Sequence, residues 1–327
     1  MENVKVDNTL EKQKVKKKKP RIIRDNRNWL EHLLYNKWLY IMMLPGILYF
    51  LIFRYVPMWG IVMAFQKYSP TKGIMGSRWV GLYWFKEFLT SPDFMMLLKN
   101  TLTLGVLNIS VGFAFPILLA LLLNEMRGQI YKRCIQTAIY VPHFVSWTIV
   151  ASITTLLLTS DGGGLYELIS KLAGHNIDVL TQPQLFKPMI VAQGIWKESG
   201  YGTIIYLAAL ASVDMEQYEA AMIDGAGRFK RVLYVTLPAV QNTIIIMLIL
   251  KCGSFLSTGF DQIYLMANSL NRSAAQVFDT YVYTVGITQG MYSYSTAIGL
   301  FKSVVGIVLI VGSNLLAKKI DPDAGIF

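Results

Sequence analysis

Residues 218–240 read YEAAMIDGAGRFKRVLYVTLPAV, a polar stretch that lies between two long apolar segments. Just before and within it, the apolar residues Met215, Tyr218 and Met222 recur at helical spacing. Gly225 follows them, and glycine readily adopts the left-handed conformation that ends a helix. The pattern predicts a short helix over 214–224 that lies along a membrane surface.

The composition of the whole chain is that of a membrane protein. Its 327 residues are 54% hydrophobic and only 16% charged, with a mean hydropathy of +0.42, whereas soluble domains carry about 25% charged residues. Six apolar stretches reach the roughly 20 residues that a membrane-spanning helix needs. They are residues 38–65, 98–123, 134–158, 188–211, 243–265 and 295–317. Because backbone polar groups in lipid must be hydrogen-bonded within helices or closed barrels, we expect an all-α bundle of six transmembrane helices.

The lysines and arginines predict the orientation of this bundle. Eleven of them precede Trp38, and cytoplasmic segments carry an excess of basic residues. With six crossings, the cytoplasmic side would also hold 124–133, 212–242 and the C-terminal tail. These three segments carry eight basic residues in about 50 positions, against eight in about 90 for the outer loops. Both termini are therefore predicted to be cytoplasmic, in a multi-pass plasma-membrane protein.

This topology divides the chain into three parts. A basic tail (1–37) precedes the six-helix domain (38–317), which contains the loop 212–242, and a short tail (318–327) ends the chain. A solvated tail is the favoured interpretation of 1–37, with attraction to anionic lipid or nucleic acid as alternatives. We expect no nucleic acid partner, and Cys134 and Cys252 indicate neither a disulfide framework nor a metal site.

The opening stretch resembles the cytoplasmic loop signature of the membrane subunits of binding-protein-dependent ABC importers. That signature is Glu-Ala-Ala, three residues, Gly, nine residues, an aliphatic residue, one residue, and Leu-Pro. The matching residues here are Glu219, Ala220, Ala221, Gly225, Val235, Leu237 and Pro238. Valine replaces the usual isoleucine at 235 and keeps its branched apolar character.

The resemblance extends from about residue 37 to the end of the chain. It includes GFAFPILLALLLNEMR at 112–127, YVPHFVSW at 140–147, WKESGYGTIIYLAALA at 196–211, AIGLFKS at 297–303 and the closing DPDAGIF. These segments resemble the oligosaccharide and polysaccharide permeases, a group that includes lipoprotein-dependent sugar importers of Gram-positive bacteria and alginate importer subunits. The resemblance implies the type I ABC importer permease fold, with a cytoplasmic coupling helix.

It also implies a non-catalytic subunit. The chain contains no G-x-x-x-x-G-K-[ST] phosphate loop, so we expect no cofactor in this chain, with ATP and Mg²⁺ bound and ATP hydrolysed by a separate subunit. In the family, the loop helix sits in a groove of the ATPase, and closure of the ATPase dimer switches the membrane bundle between inward-open and outward-open states. The residues assigned to this coupling are Glu219, Ala220, Ala221, Asp224, Gly225, Leu237 and Pro238. The implied partners are a second homologous permease, two ATPase subunits, an external solute-binding lipoprotein and an oligosaccharide.

Four basic residues fall at membrane depth, where an ionisable side chain is costly unless it faces protein or water. Arg54 either extends outward to the membrane surface or has a structural role. Lys251 and Lys302 either line the transport pathway or form ion pairs with Glu198, Asp261 or a neighbouring subunit. The fourth, Lys197, belongs to the stretch WKESGYG.

WKESGYG, at 196–202, places charges and two glycines in the middle of the fourth apolar segment, and transporters often bind substrate where a membrane helix is broken. By resemblance to maltose importers, the sugar-contacting positions are Gly194, Lys197, Glu198, Tyr201, Ser257 and Phe260. Aromatic faces with nearby polar groups suit sugar rings, which adds Trp196, Asp261 and Gln262 and again favours Tyr201 and Phe260. The alternative is that Lys197 and Glu198 neutralise each other as a structural pair.

Three outer loops, 67–99, 159–187 and 266–294, would receive the binding protein. Within the second, SDGGGLYELISKLAG predicts a turn and then a short amphipathic helix. His143 and His175 have no partners at metal-ligand spacing and are expected to be structural.

The function predicted is ATP-driven import of oligosaccharides by alternating access. Basic residues at membrane depth favour an acidic, uronate-type sugar, and neutral sugars stay open. An ion-coupled secondary transporter of a polar solute is the alternative, although such proteins usually show internal repeats. An intramembrane enzyme would need a compact catalytic constellation within the spans, which the sequence does not contain.

Overall fold

The computed structural model describes residues 34–126, 128–320 and 325–326. Nearly all of the predicted basic tail, and half of the predicted C-terminal tail, lie outside these residues. The described chain falls into two compact units, divided between Trp59 and Gly60. A two-stranded antiparallel hairpin pairs β1 (Gln66–Lys67) with β2 (Arg78–Trp79), and the remaining elements are helical.

The α-helices are α1 (Lys37–Phe50), α2 (Val56–Met58), α3 (Gly73–Gly76), α4 (Tyr83–Leu89), α5 (Phe94–Leu107), α6 (Ala114–Glu125), α7 (Gln129–Tyr140), α8 (Trp147–Leu158), α9 (Gly164–Ala173), α10 (Pro183–Ala211), α11 (Met215–Ile223), α12 (Arg228–Arg231), α13 (Leu237–Ala239), α14 (Gln241–Gly253), α15 (Phe260–Met266), α16 (Arg272–Ala275), α17 (Phe278–Tyr283) and α18 (Tyr292–Ile320).

The predicted spans correspond to these helices in three ways. Three continuous runs are long and apolar enough to cross a membrane: Lys37–Phe65, Phe94–Glu125 and Tyr292–Lys319. The third and fifth predicted spans are bent pairs, Gln129–Phe144 with Trp147–Leu158 at 102° and Arg228–Ala239 with Gln241–Gly253 at 62°. The fourth is α10, whose 29 residues make a rod of about 44 Å.

Two predicted spans are not continuous helices. The third bends after Phe144, where Pro142 lies in a 3₁₀ turn and Ser146 caps α8 by accepting a hydrogen bond from the Ile149 amide at 3.3 Å. The fifth was predicted as one helix over 243–265, but α14 ends at Gly253 and α15 begins only at Phe260. The intervening residues 254–259, SFLSTG, are rich in the serine and glycine that favour breaks.

Because a missing N–H costs nothing in the first turn of a helix, the sequence predicts that Pro238 starts the next membrane helix, and this prediction is wrong. The helical run begins ten residues earlier, at Arg228, and ends just after Pro238, at the bend before Gln241. A π-helical turn at Val232–Thr236 directly precedes the proline. Proline has no N–H and cannot donate the hydrogen bond of an α-helix. A π-helical turn just before it replaces the α-helical hydrogen-bonding pattern.

The expected interruption of the fourth span is also wrong, because α10 runs unbroken through residues 196–202. Lysine and glutamate are good helix formers, and the structure satisfies both charges, as described below. The two glycines of this stretch instead allow neighbouring helices to pack closely against α10. A Cβ at Gly200 would collide with the backbone carbonyl of Ile139 in α7, and one at Gly202 would lie 3.2 Å from the ring of Pro116 in α6.

Two apolar clusters hold α10 in place, and a third does not include it. Near its N-terminal end, Phe186 and Ile190 pack with Ile263 of α15 and Val277. Toward its C-terminal end, Tyr206 and Leu210 pack with Ala120 and Val240. A third cluster joins α4, α5, α17 and α18 around Phe88 and Phe278, which are fully buried. The position of α10 is therefore fixed along most of its length.

Amides tie the N-terminal end of α10 to the α15–α16 connection. The fully buried Asn271 donates from Nδ2 to the carbonyls of Leu180 and Met266, at 3.0 and 3.1 Å. Asn268 donates to the same Leu180 carbonyl at 2.9 Å.

The amphipathic helix predicted after the triple glycine is α9, which ends at Gly174 in the left-handed conformation, with φ +73°.

Candidate functional site

A cavity of about 350 Å³ lies beside the middle of α10. Four predicted substrate residues line it: Gly194, Glu198, Ser257 and Gln262. The residues that the prediction did not assign to substrate include Asn108, Trp147, Lys251, Thr258 and Gly259. The cavity thus brings together residues from four of the predicted spans, the second to the fifth, including the non-helical part of the fifth.

Lys197 and Glu198 form a charged cluster with the bend of the third predicted span. The Lys197 side chain is buried, and its Nζ donates to the His143 carbonyl at 2.6 Å. The same Nζ lies 3.3 Å from Glu198 Oε1 and 5.3 Å from the centre of the Trp147 ring. Lys197 is therefore neutralised within the protein and does not line the cavity.

Glu198 also contacts His143, whose Nδ1 lies 2.8 Å from Oε2 of the carboxylate. The imidazole stacks on Tyr201, with ring centres 4.1 Å apart and planes 8° apart. His143 was expected to be structural, with no partner at metal-ligand spacing. Its contact with Glu198 spans 55 residues of sequence, so no local pattern indicates it. The Glu198 side chain is 47% exposed. Its carboxylate is therefore oriented by Lys197 and His143 and still reaches the cavity.

The non-helical residues Ser257, Thr258 and Gly259 form one wall of the cavity. Gly259 has φ +88°, a conformation that favours glycine. Thr258 is buried, and its hydroxyl has no hydrogen-bond partner among the described residues. Thr258 was missed by the sequence analysis, because nothing in the sequence shows where an apolar helix will unwind to present a hydroxyl.

Gln262 sits just after this segment and connects it to α10. Its Nε2 donates to the Ile190 carbonyl at 2.6 Å and to Gln193 Oε1 at 3.0 Å, while Gln193 donates to Thr154 Oγ1 at 2.6 Å. The Gln262 oxygen lies about 4 Å from where a Cβ of Gly194 would be. The amide nitrogen is therefore structural, and the oxygen faces the cavity.

Five of the nine predicted substrate residues do not line this cavity: Lys197 and Tyr201, which belong to the charged cluster, and Trp196, Phe260 and Asp261. Trp196 lines a separate apolar cavity of about 590 Å³ between α8, α9 and α10. Phe260 packs against Tyr264 and Tyr283, with ring centres 5.2 and 5.0 Å apart. Asp261 is exposed and has no ion pair among the residues that the structure describes.

The two lysines of the last two predicted spans differ in their partners. Lys302 of α18 forms an ion pair with Asp279 of α17, a partner that the sequence analysis did not consider. Lys251 lines the cavity and makes no ion pair within the described residues. It does not pair with Glu198, which is held by Lys197 and His143.

The predicted loop helix is α11, and its ends are those expected from the sequence. The Asp214 side chain caps it by accepting from the Glu216 amide at 3.0 Å. Gly225 follows with φ +77°, and the Ala226 amide donates back to the Ala221 carbonyl at 2.9 Å. These bonds close the C-terminal end of the helix, as in a Schellman-type turn.

One contact fixes the inner side of α11, while its other side is open. The Tyr218 hydroxyl lies 3.0 Å from Thr236 Oγ1. Glu219, Ala220 and Asp224 are exposed. Large apolar side chains around them are exposed too: Met215, Met222, Ile223, Phe229 and Tyr234. A short helix with small, acidic and apolar residues on its open surface suits docking into a groove of another protein.

The chain is similar to a known protein family and to named relatives within it. A family model described as binding-protein-dependent transport system inner membrane component matches residues 112–324. Protein LplB of Bacillus subtilis (strain 168) is 60% identical, over 92% of this chain and 94% of its own. The polygalacturonan/rhamnogalacturonan transport system permease protein YteP of the same strain is 53% identical, over 88% and 89%.

Solved structures agree with the sequence relatives. The chain matches a bacterial ABC transporter involved in the import of the acidic polysaccharide alginate, with a TM-score of 0.82 and 36% identity, over 89% of this chain and 99% of that one. It also matches that alginate transporter in complex with an alginate pentasaccharide-bound periplasmic protein, with a TM-score of 0.83 and 36% identity, over 90% and 98%.

The expected all-α permease fold and the non-catalytic role are confirmed by these matches, which cover more than half of the chain. The apolar helices make the chain a multi-pass membrane protein. The chain belongs to the family of binding-protein-dependent transport system inner membrane components, the permease subunits of ABC importers.

Proposed function

We propose that the chain translocates oligosaccharides of the uronic-acid type, delivered by an external binding protein, through alternating access driven by ATP. It acts with a second homologous permease and two ATPase subunits, which bind ATP and Mg²⁺. Relatives named for polygalacturonan and rhamnogalacturonan transport and for alginate import support this substrate class. The arrangement that carries the proposal is a polar cavity and an exposed loop helix at different places along the same chain.

In this proposal both termini and α11 are cytoplasmic, as the distribution of lysine and arginine favours. The open surface of α11 sits in a groove of the ATPase, where Glu219 meets a basic side chain and the small Ala220 and Ala221 allow close approach. The closed ATPase dimer binds one state of the membrane bundle more tightly than the other. Its closure therefore drives a rigid-body transition between the two states. Asp224, Gly225, Leu237 and Pro238 complete the coupling region.

The sugar occupies the cavity beside α10. Its volume of about 350 Å³ is within the usual range for a ligand pocket. The Glu198 carboxylate, the Gln262 carbonyl and the Ser257 hydroxyl supply hydrogen-bonding groups, and Gly194 leaves room for a ring. Lys197 and Tyr201 hold Glu198 and His143 in position. We propose Trp196, Phe260 and Asp261 as contacts only for sugar units that extend beyond the cavity.

Lys251 makes the cavity selective for acidic sugars. Lys251 lines the cavity, so its ammonium can pair with a uronate carboxylate there, and a hydrogen bond to a charged group is worth about 1.5–3 kcal/mol. Replacing it, as Lys251→Gln, is expected to raise the KM for uronate oligomers about tenfold and to leave the KM for neutral oligomers unchanged. Uptake by the reconstituted complex measures both.

The control for this prediction is Lys318→Gln, which removes the same charge from the last turn of α18, outside the cavity lining. It should leave both KM values unchanged. Equal losses for acidic and neutral oligomers in the Lys251 variant would contradict a role in charge selection.

The proposed function is tested by uptake into proteoliposomes that contain the complete complex. Oligogalacturonates, alginate oligomers and neutral oligosaccharides of matched length are supplied with the loaded binding protein, with or without enclosed ATP. Uptake of the acidic oligomers that requires ATP supports the proposal. Uptake driven by an ion gradient without ATP would support the ion-coupled alternative instead, and uptake of neutral oligomers alone would refute the acidic substrate.

A further inference from the structure

The wall of the cavity at Ser257–Gly259 is not held by helix hydrogen bonds. These residues lie between the end of α14 at Gly253 and the start of α15 at Phe260. A backbone amide in such a segment needs an acceptor from elsewhere when it is buried. For Thr258, which is only 5% exposed, that acceptor is a carboxylate: the amide donates to Asp279 Oδ2 at 3.1 Å.

Asp279 is in turn held by a cation from another helix. Its other oxygen, Oδ1, accepts from Lys302 Nζ. The two side chains are largely buried, at 21% and 13% exposure, and Lys302 belongs to α18, a helix long enough to cross the membrane. A carboxylate that accepts hydrogen bonds at both oxygens is held in one orientation, so the acceptor for Thr258 is fixed in place.

The ion pair lies behind the wall and not in the substrate cavity. Asp279 and Lys302 line a second cavity, of about 500 Å³, between α14 and α18. Ser257 lines both cavities, so the non-helical segment separates them. Neither charged side chain lines the substrate cavity, and their effect on a substrate must pass through the segment that they hold.

We propose that Asp279 and Lys302 are positioning residues for translocation: the ion pair sets the geometry of residues 257–259, which form a wall of the substrate cavity, and so fixes the position from which the Ser257 hydroxyl meets the sugar. The buried Thr258 hydroxyl has no hydrogen-bond partner among the described residues, so the amide supplies the hydrogen bond that holds Thr258 to Asp279. This inference rests on the proposed function of the cavity. It assigns to the ion pair a role beyond neutralising two charges in the membrane.

Two double variants separate positioning from simple charge neutralisation. Asp279→Asn with Lys302→Gln removes both charges but keeps an oxygen that can accept from the Thr258 amide, while the Asn amide can donate to the Gln oxygen. Asp279→Leu with Lys302→Met also removes both charges but leaves the Thr258 amide without an acceptor. Neither variant buries an unpaired charge, so both are expected to insert and fold.

The variants are compared in the complete complex by uptake of an oligogalacturonate and by deuterium exchange of peptides that overlap at Thr258. For the Asn/Gln variant we expect a KM within about twofold of wild type and protected exchange. For the Leu/Met variant we expect a KM raised about five- to tenfold, the equivalent of one lost hydrogen bond, and faster exchange at Thr258. A charge-reversed pair, Asp279→Lys with Lys302→Asp, keeps the ion pair but lacks the acceptor, and should behave like the Leu/Met variant.

Equal KM values and equal exchange for the Asn/Gln and Leu/Met variants would overturn the inference, as would wild-type exchange in the charge-reversed variant. Exchange is measured without substrate, so it tests the anchor even if the complex carries a different solute. An absence of oligosaccharide uptake by the wild-type complex, with exchange as expected, would refute the proposed function and leave the anchor in place.

Discussion

Replacing Gly225 by aspartate is expected to lower uptake about tenfold or more and to abolish stimulation of ATP hydrolysis by the loaded binding protein, while membrane insertion stays normal. Gly225 has φ +77°, where a side chain other than glycine is strained by roughly 1–2 kcal/mol. The new carboxylate would also lie next to Asp224, at the C-terminal end of α11, where the helix dipole disfavours a negative charge. Both effects distort the turn that orients α11 toward the ATPase.

Gly227 provides a matched control, because it lies two residues further along the same loop. Its φ is −64°, it precedes α12, and nothing lies within 4 Å of a Cβ built on it. Gly227→Asp adds the same charge at a helix N-terminus, where aspartate is favoured. It should retain uptake and stimulated hydrolysis. Normal transport by the Gly225 variant would refute the coupling role of α11.

The second large effect is expected at Gly200, where α10 contacts the backbone of α7. A Cβ at this position would collide with the carbonyl of Ile139, a backbone atom that cannot rotate away. Gly200→Ala should therefore separate the two helices at a cost of roughly 1–3 kcal/mol or more. Because Glu198 and His143 face each other across the same contact, uptake should fall together with thermal stability of the purified complex.

Gly312 of α18 is the control for this prediction, since it is also a glycine within a helix but has nothing within 4 Å of a built Cβ. Gly312→Ala should keep or slightly raise stability, because alanine is a better helix former. An unchanged melting temperature for Gly200→Ala would show that α7 and α10 are not in contact at Ile139.

The features predicted well from the sequence are those with local causes. α11 lies within the predicted 214–224 and Gly225 ends it as predicted, through bonds between residues close in sequence. The apolar stretches also gave helices, because lipid leaves the backbone few alternatives. The apolar pattern did not show where a helix is continuous and where it breaks. α14 ends at Gly253, in the middle of a predicted span, while α10 passes unbroken through the polar stretch 196–202.

The candidate site depends on contacts between distant residues, and here the sequence was a weaker guide. Glu198 and Ser257 were predicted by resemblance, and Gln262 as a polar group near aromatic side chains; all three line the cavity. Their partners were not predicted: His143 reaches Glu198 across 55 residues, and Asp279 reaches Lys302 across 23. A histidine or an aspartate in a bend or an outer loop carries no local pattern that names its partner, since that is decided by how the helices pack.

The continuity of α10 determines how its two ends can move. Its close contact with α7 at Gly200 lies about 26 Å from its first residue and about 17 Å from its last. If the helix turns as a rigid body about this pivot, its ends travel in opposite directions, by about 4 Å and about 3 Å for a rotation of roughly 10°. A single tilt would then narrow one mouth of the pathway as it widens the other, with no need for two separate gates.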